Sequence, residues 1–396
     1  MQEDPIVIVG AARTPMGGFQ GSLTPLSAPE LGGYAIQAAV ERAGVPPEDI
    51  QDLIMGLCLF AGVKQAPARQ AAHLAGIPWD AGATTISKMC GSAMKATMLA
   101  HDNILAGSHD IMVAGGMESM TNAPYILPKA RGGYRLGNGD TVRDHMFMDG
   151  LEDAYDEGRL MGTFAEDTAE HYQFTREAQD NYAIESLTRA KKAVEDGSFD
   201  DEVVPVTVKT RKGETMVTSD EQPFNANIEK IPQLKPAFRK DGTVTPANSS
   251  SISDGAAALV LMKRSEAEKR GLTPKALIHA HSTHSQEPNW FTTAPIGAVK
   301  KVLEKTGWSK EEVDLFEVNE AFAVVAMAAM RDLDIPHDKI NVHGGACALG
   351  HPVGASGARI IVTLMSALEK YDLKKGVASL CIGGGEATAV SIERLN

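Results

Sequence analysis

At 396 residues the chain is too long for one simple core and predicts two or three structural units. Its 43% hydrophobic and 22% charged residues are ordinary for a globular protein. The 51 acidic against 38 basic residues, a net charge of −13, argue against a nucleic-acid surface or an anionic membrane as partner, while an anionic small molecule needs only a local basic patch.

The chain opens with an apolar, β-branched run at 6–9 that ends in Gly10 and reads as a buried strand. A helix is expected at 29–42, a second buried strand at 50–59 and a helix at 66–74. Residues 86–103 then carry Cys90 where an extended lead-in meets a run of small residues and helix formers. A thiol at that point would feel free N–H groups and the positive helix end, which favour a thiolate. Gly107, a strand at 110–114 and Gly115-Gly116 follow. From about 122 to 248 the character changes to Gly, Pro, Asp, Arg and Tyr. Helices are expected only near 163–171 and 176–196, the second capped by Thr175. This stretch reads as an inserted cover, or lid domain. Alternation resumes with strands at 255–262, 275–279, 313–318, 340–342, 377–382 and 388–393, and with helices at 297–306, 319–330 and 356–368.

Two segments echo one another. Each runs from a reactive-looking residue (Cys90 or the His351 loop) through a small-residue helix and a Gly to a strand ending in paired glycines. The expected architecture is therefore a duplicated α/β protein. One half spans 1–270, including the insertion, and the other 271–396.

Four cysteines, Cys58, Cys90, Cys347 and Cys381, are widely spread without a CxxC pair. That is neither a disulfide framework nor a zinc site, and it fits a reducing cytoplasm. The acidic start of the chain is unlike a basic presequence, and no apolar run is long enough to span a bilayer. Asn319 and Glu320 stand where a strand turns into an apolar helix and could simply cap it. His351 lies among glycines and a proline that fix the backbone around a side chain to be aimed, and His343 shares that loop. Cys381 ends a buried strand beside Gly383-Gly384-Gly385, whose amides suit an oxyanion better than a dinucleotide. Cys58, inside an apolar strand, and Cys347 read as structural.

In order, MCGSAMKA (89–96), NEAF (319–322), HGGACALGHPVGASGAR (343–359) and CIGGGEA (381–387) resemble the thiolase family. So do GAARTPMG (10–17), AGGMESM (114–120) and TPANSSSISDGAAA (245–258). The resemblance implies a five-layer αβαβα architecture with a loop domain, and a reversible Claisen condensation of two acetyl-CoA to acetoacetyl-CoA and CoA. It implies Cys90 as nucleophile, His351 as its base and Cys381 as acid/base. Asn319, through a water, would form one oxyanion hole with His351, and the N–H groups of Cys90 and Gly383 a second. Ser250, Met161, Ala321 and Phe322 match positions along the pantetheine tunnel, and Arg239 or Lys240 is a guess for the adenine and 3′-phosphate. Coenzyme A thioesters are expected as substrate and product, with no tightly bound cofactor or metal and a homodimer or homotetramer as the assembly. Ala93, Leu160, the 291–295 stretch and Glu386 depart from the common pattern and bear on chain length. The alternative is therefore a 3-ketoacyl-CoA thiolase of longer chain length in fatty-acid β-oxidation. An inert CoA-binding scaffold, a Rossmann dehydrogenase and a two-histidine decarboxylating ketosynthase each fit these residues less well.

Overall fold

The computed structural model describes residues 4–137, 141–211 and 213–395. Five long strands of the main sheet come from the first part of the chain: β1 (Ile6–Arg13), β2 (Asp52–Gly56), β3 (Gly82–Ile86), β4 (Ile111–Ser119) and β5 (Ser253–Lys263). Four more follow: β6 (Ala276–Ser285), β7 (Leu315–Val318), β8 (Lys375–Ile382) and β9 (Glu386–Arg394). They form one continuous path, β7-β8-β9-β6-β1-β5-β4-β2-β3, with Gly17–Gly18 paired beside β5.

The path divides at the short β1–β6 pairing into two copies of one pattern. Outward from that seam, one side runs β1, β5, β4, β2, β3. The other runs β6, β9, β8, β7 and then Ile340, which bridges Phe316. In each copy the two strands nearest the seam pair antiparallel and the outer ones parallel. The echo in the sequence is thus a duplicated sheet.

Period-two alternation sends successive side chains to opposite faces. Val7 and Val9 of β1 enter a core with α1 (Ala28–Ala43) and α2 (Pro67–Leu74). Ile6 and Ile8 enter a second core with α3 (Ser92–Leu105) and, further along the chain, the Ser356–Lys370 helix. On the far side, the Ala294–Thr306 and Ala323–Leu333 helices cover β7, β8 and β9. The result is five layers, with the Cys90 helix and its counterpart innermost. Those two helices meet at backbone distance, because a Cβ on Gly357 would lie 2.4 Å from the Met94 nitrogen. Their N-termini, and the loops ahead of them, are thereby neighbours.

Within 122–248, helices α4 (Met161–Tyr172) and α5 (Arg176–Glu195) form as expected, and Thr175 caps the second by accepting from the Ala178 N–H at 3.1 Å. A Val206–Thr210/Gly213–Val217 ribbon is added. With these in place, the Ala294–Thr306, Ala323–Leu333 and Ser356–Lys370 helices are α6, α7 and α8.

Three local expectations fail for tertiary reasons. The helix expected from 319 starts only at Ala323. The Asn319 N–H is taken by the Ser379 carbonyl, and Ala321 and Ala323 pair with Ser250 and Asn248, so cross-chain partners override helix propensity. The strand expected at 340–342 shrinks to one bridge, because Asn341 adopts φ +49 and spends its side chain on Val318. Cys58 lies beyond the end of β2, in the loop that follows. Among the described residues no helix is long and apolar enough to cross a membrane.

Candidate active site

Cys90 sits on a tight elbow between β3 and α3. Met89 before it is held at φ +47, a conformation costly for a side chain of its size. Ser92 sustains the strain: its hydroxyl donates to the Met89 carbonyl at 2.6 Å and accepts the Lys88 N–H at 2.8 Å. Gly91 brings the elbow against the other half of the molecule, since a Cβ there would lie 2.3 Å from Cδ1 of Ile382. Ile382 follows Cys381, so this one approach carries the first thiol to the second. The Cys90 sulfur accepts the backbone N–H of Gly383, and the two sulfurs are near enough that a charge on Cys90 would disfavour one on Cys381. Met161 reaches the same spot, 3.3 Å from where a Gly383 Cβ would stand.

Cys381 is fully buried, whereas Cys90 keeps partial access to solvent. The helix end that favours a thiolate is outweighed here. Burial pushes the Cys90 thiol up to about 11, outweighing the N–H groups of Gly383 and Cys90 that pull it down, and the Glu118 carboxylate adds to the rise. Burial, then the Cys90 charge, raises Cys381 as well. Both sulfurs rest as thiols, and the helix end lacks the strength to reverse this.

His351 is buried, with its backbone N–H on the Ser251 carbonyl. Its Nδ1 lies 2.6 Å from Ser356 Oγ, and that hydroxyl donates to the Pro352 carbonyl at 3.0 Å. With its one proton so committed, Ser356 can only accept, so Nδ1 carries the imidazole proton and Nε2 holds the free lone pair. Among the described residues Nε2 has no hydrogen-bond partner. Burial, helped by the Arg359 charge, lowers His351 to about 3. His343 is separated from it: its ring packs edge-on to Phe199 and tilted against Tyr371.

Asn319 reaches this loop, its Nδ2 3.5 Å from His351 Nδ1 and its Oδ1 accepting from Arg359 at 3.3 Å. Neighbouring Glu320 is structural. It accepts from Tyr182, Ser186, Asn341 and the Cys347 N–H, tying the turn to α5. Ala321 and Phe322 are buried in the same cluster as Cys381, with Met161 packed on it. The Ser250 N–H donates to the Ala321 carbonyl at 2.9 Å. Arg239, exposed on the insertion, is engaged by Asp167, and Lys240 is exposed.

The structure therefore joins Cys90, Cys381, Gly383 and Met161 in one group, and His351 with Asn319 in another. Glu118 and Val353 link them. Glu118 accepts the N–H groups of Cys58 and of Gly354 in the His351 loop, both at 2.9 Å, and Val353 shares a cluster on which Cys90 packs. Sequence reasoning missed Glu118, Ser356 and Arg359. A hydroxyl five residues after a histidine, at a helix start, was the available signal for Ser356. Among the described residues one group has metal-ligand spacing, His101, Asp102 and His281, in the last turn of α3 and on β6. There one carboxylate oxygen is shared by two imidazoles, 3.1 and 2.8 Å away.

Comparison with known proteins agrees with this geometry. The thiolase N-terminal domain matches residues 6–265 and the thiolase C-terminal domain residues 272–394. An acetyl-CoA acetyltransferase of Cupriavidus necator is 48% identical over 391 residues, covering 98% of this chain and 99% of that one. The cytosolic acetyl-CoA acetyltransferase of Mus musculus is 48% identical over 394 residues, covering 99% and 98%. The crystal structure of the Bacillus anthracis acetyl-CoA acetyltransferase superposes with a TM-score of 0.96 at 43% identity, covering 99% of each chain. That of the Ascaris suum Acat5 thiolase in complex with coenzyme A gives 0.93 at 42%, covering 99% of this chain and all 100% of that one. Duplicated sheet, apposed thiols and sequence together make this chain a member of the thiolase family.

Proposed function

We propose that this chain is an acetyl-CoA acetyltransferase, joining two acetyl-CoA into acetoacetyl-CoA and free CoA and running the reverse thiolysis. The observation that carries the reading is the convergence of Cys90, on one half, with Cys381 and the Gly383 N–H on the other.

The protonation states suggest the order of events. His351 Nε2 takes the Cys90 proton as the sulfur attacks the first thioester carbon. The N–H groups of Cys90 and Gly383 hold the tetrahedral oxyanion. When the C–S bond to CoA breaks, the departing thiolate takes its proton from Cys381, which rests protonated. This leaves an acetylated Cys90, an imidazolium and a Cys381 thiolate. Cys381 then removes the α-proton of the second acetyl-CoA. The enolate oxygen is met by the Nε2–H of His351, available only because that ring is now protonated, and by a water held on Asn319. The α-carbon attacks the acyl group on Cys90. Collapse releases acetoacetyl-CoA, the Cys90 sulfur recovers its proton from His351, and every group is reset.

Coenzyme A thioesters act here as substrate and product, with no tightly bound cofactor, and Ser250, Met161, Ala321 and Phe322 line the pantetheine path. The insertion of about 122–248 serves as the cover that brings Met161 to Gly383. A cytoplasmic homo-oligomer fits the reading, since β3 is an open sheet edge. Steady-state rates over a ladder of 3-ketoacyl-CoA lengths test the assignment. Acetoacetyl-CoA should be preferred, and a clear preference for C8 or longer would instead mark a degradative 3-ketoacyl-CoA thiolase.

A further inference from the structure

Arg359 sits in the first turn of α8 with 0% of its surface exposed. Burying a guanidinium is costly, so its partners indicate its use. Among the described residues its side chain makes one hydrogen bond, from Nη2 to Asn319 Oδ1 at 3.3 Å. Glu317 stands 3.7 Å from Nη1, and among the same residues neither Nε nor Nη1 has a hydrogen-bond acceptor. As an ion pair this is poorly made. As a device acting on Asn319 it is well placed.

An asparagine amide can turn either end to a neighbour, and the hydrogen-bond network decides which. The His351 Nδ1 proton is pledged to Ser356, and Nδ1 lies near the Asn319 amide. On that side alone neither end of the amide is preferred, because the single Nδ1 proton is already given to Ser356. Arg359 has donors only, so the amide must turn its oxygen, the acceptor, to that side. Arg359 thereby forces Nδ2, with its two N–H groups, toward the His351 loop. We propose that Arg359 is the positioning residue that fixes the amide orientation of Asn319, so that the amide donates to the water it holds and leaves that water's own hydrogens for the enolate oxygen of the second substrate. This deepens the reading above and rests on it.

That placement separates the two half-reactions. Acylation of Cys90 uses the Gly383 hole and is indifferent to the Asn319 amide, whereas condensation depends on it. The test compares Arg359→Met and Arg359→Lys with wild type, in the full-length protein. It measures acetylation of Cys90 by intact mass after mixing with acetyl-CoA, and acetoacetyl-CoA formation by absorbance. In Arg359→Met the condensation rate should fall about a hundredfold further than the acylation rate, the scale of one lost oxyanion donor; loss of the Arg359 charge acts on His351 in both half-reactions, so the ratio of the two is the readout. Arg359→Lys, which keeps a donor, should recover part of the loss. Should Arg359→Met fail to fold, the same split, at least several-fold, is expected in Arg359→Lys. Equal losses in both half-reactions, or no loss of condensation in a folded variant, overturn the proposal. Failure of the underlying reading shows separately, as wild type that is not acetylated on Cys90.

Discussion

Gly91 and Ile382 touch so closely that an ideal Cβ on the glycine would lie 2.3 Å from the isoleucine Cδ1. One residue stands beside Cys90 and the other beside Cys381, so this contact between the two halves sets how near the sulfurs come. In Gly91→Ala the Ile382 side chain must swing aside or the elbow and β8 must part, and either disturbs the spacing of the two sulfurs. Because a displacement of about 1 Å in a reacting group can cost a hundredfold, kcat should fall by about that factor. Gly91→Ala combined with Ile382→Val should regain part of it. Full activity in the single variant would mean that the contact does not set the spacing.

Ser356 fixes the His351 tautomer through a hydroxyl that can only accept. Ser356→Ala removes that acceptor and leaves Nδ1–H unpaired in a buried site. The base then loses both its aim and its preferred proton position. kcat should drop by about ten- to a hundredfold, toward the lower end of what general base catalysis contributes, with little change in KM. Ser356→Thr keeps the hydroxyl and should retain more activity than the alanine variant.

His351 also makes stability depend on pH. In the fold its pKa is lowered to about 3, against the ordinary 6.5 of the unfolded chain. Above pH 6.5 both states hold a neutral ring and the group costs nothing. As pH falls from 6.5 toward 3, the unfolded chain binds a proton that the fold refuses, so stability is lost across that window. The loss is about 1.4 kcal/mol per pH unit below 6.5. His351→Asn, whose amide can still donate to Ser356, should escape this loss. Urea unfolding at pH 7 and pH 5 should show the variant gaining on wild type at the lower pH. A constant difference between the two would contradict a buried neutral imidazole.

Most of the fold was legible because apolar strands alternate with small-residue helices and the pattern occurs twice. The residues around Cys90, Cys381 and His351 could be read from glycine placement and motif. What could not be read depends on contacts far apart in sequence. The start of α7 is delayed to Ala323 by backbone partners some 70 residues away, Asn248 and Ser250. Cys58 reads as a strand residue, yet its N–H is held by Glu118, 60 positions on. The resting charge of Cys90 could not be read for the same reason. The helix end is visible in the sequence, but the burial that outweighs it is assembled from both halves.

The most direct measurement is a single turnover of Cys381→Ala with acetyl-CoA, following acetyl on the Cys90 peptide by mass spectrometry and acetoacetyl-CoA by absorbance. The variant should acetylate Cys90 to completion and then stop, with no carbon–carbon bond formed. Acetoacetyl-CoA at the wild-type rate, or the acetyl group on any other cysteine, would contradict the two-thiol mechanism.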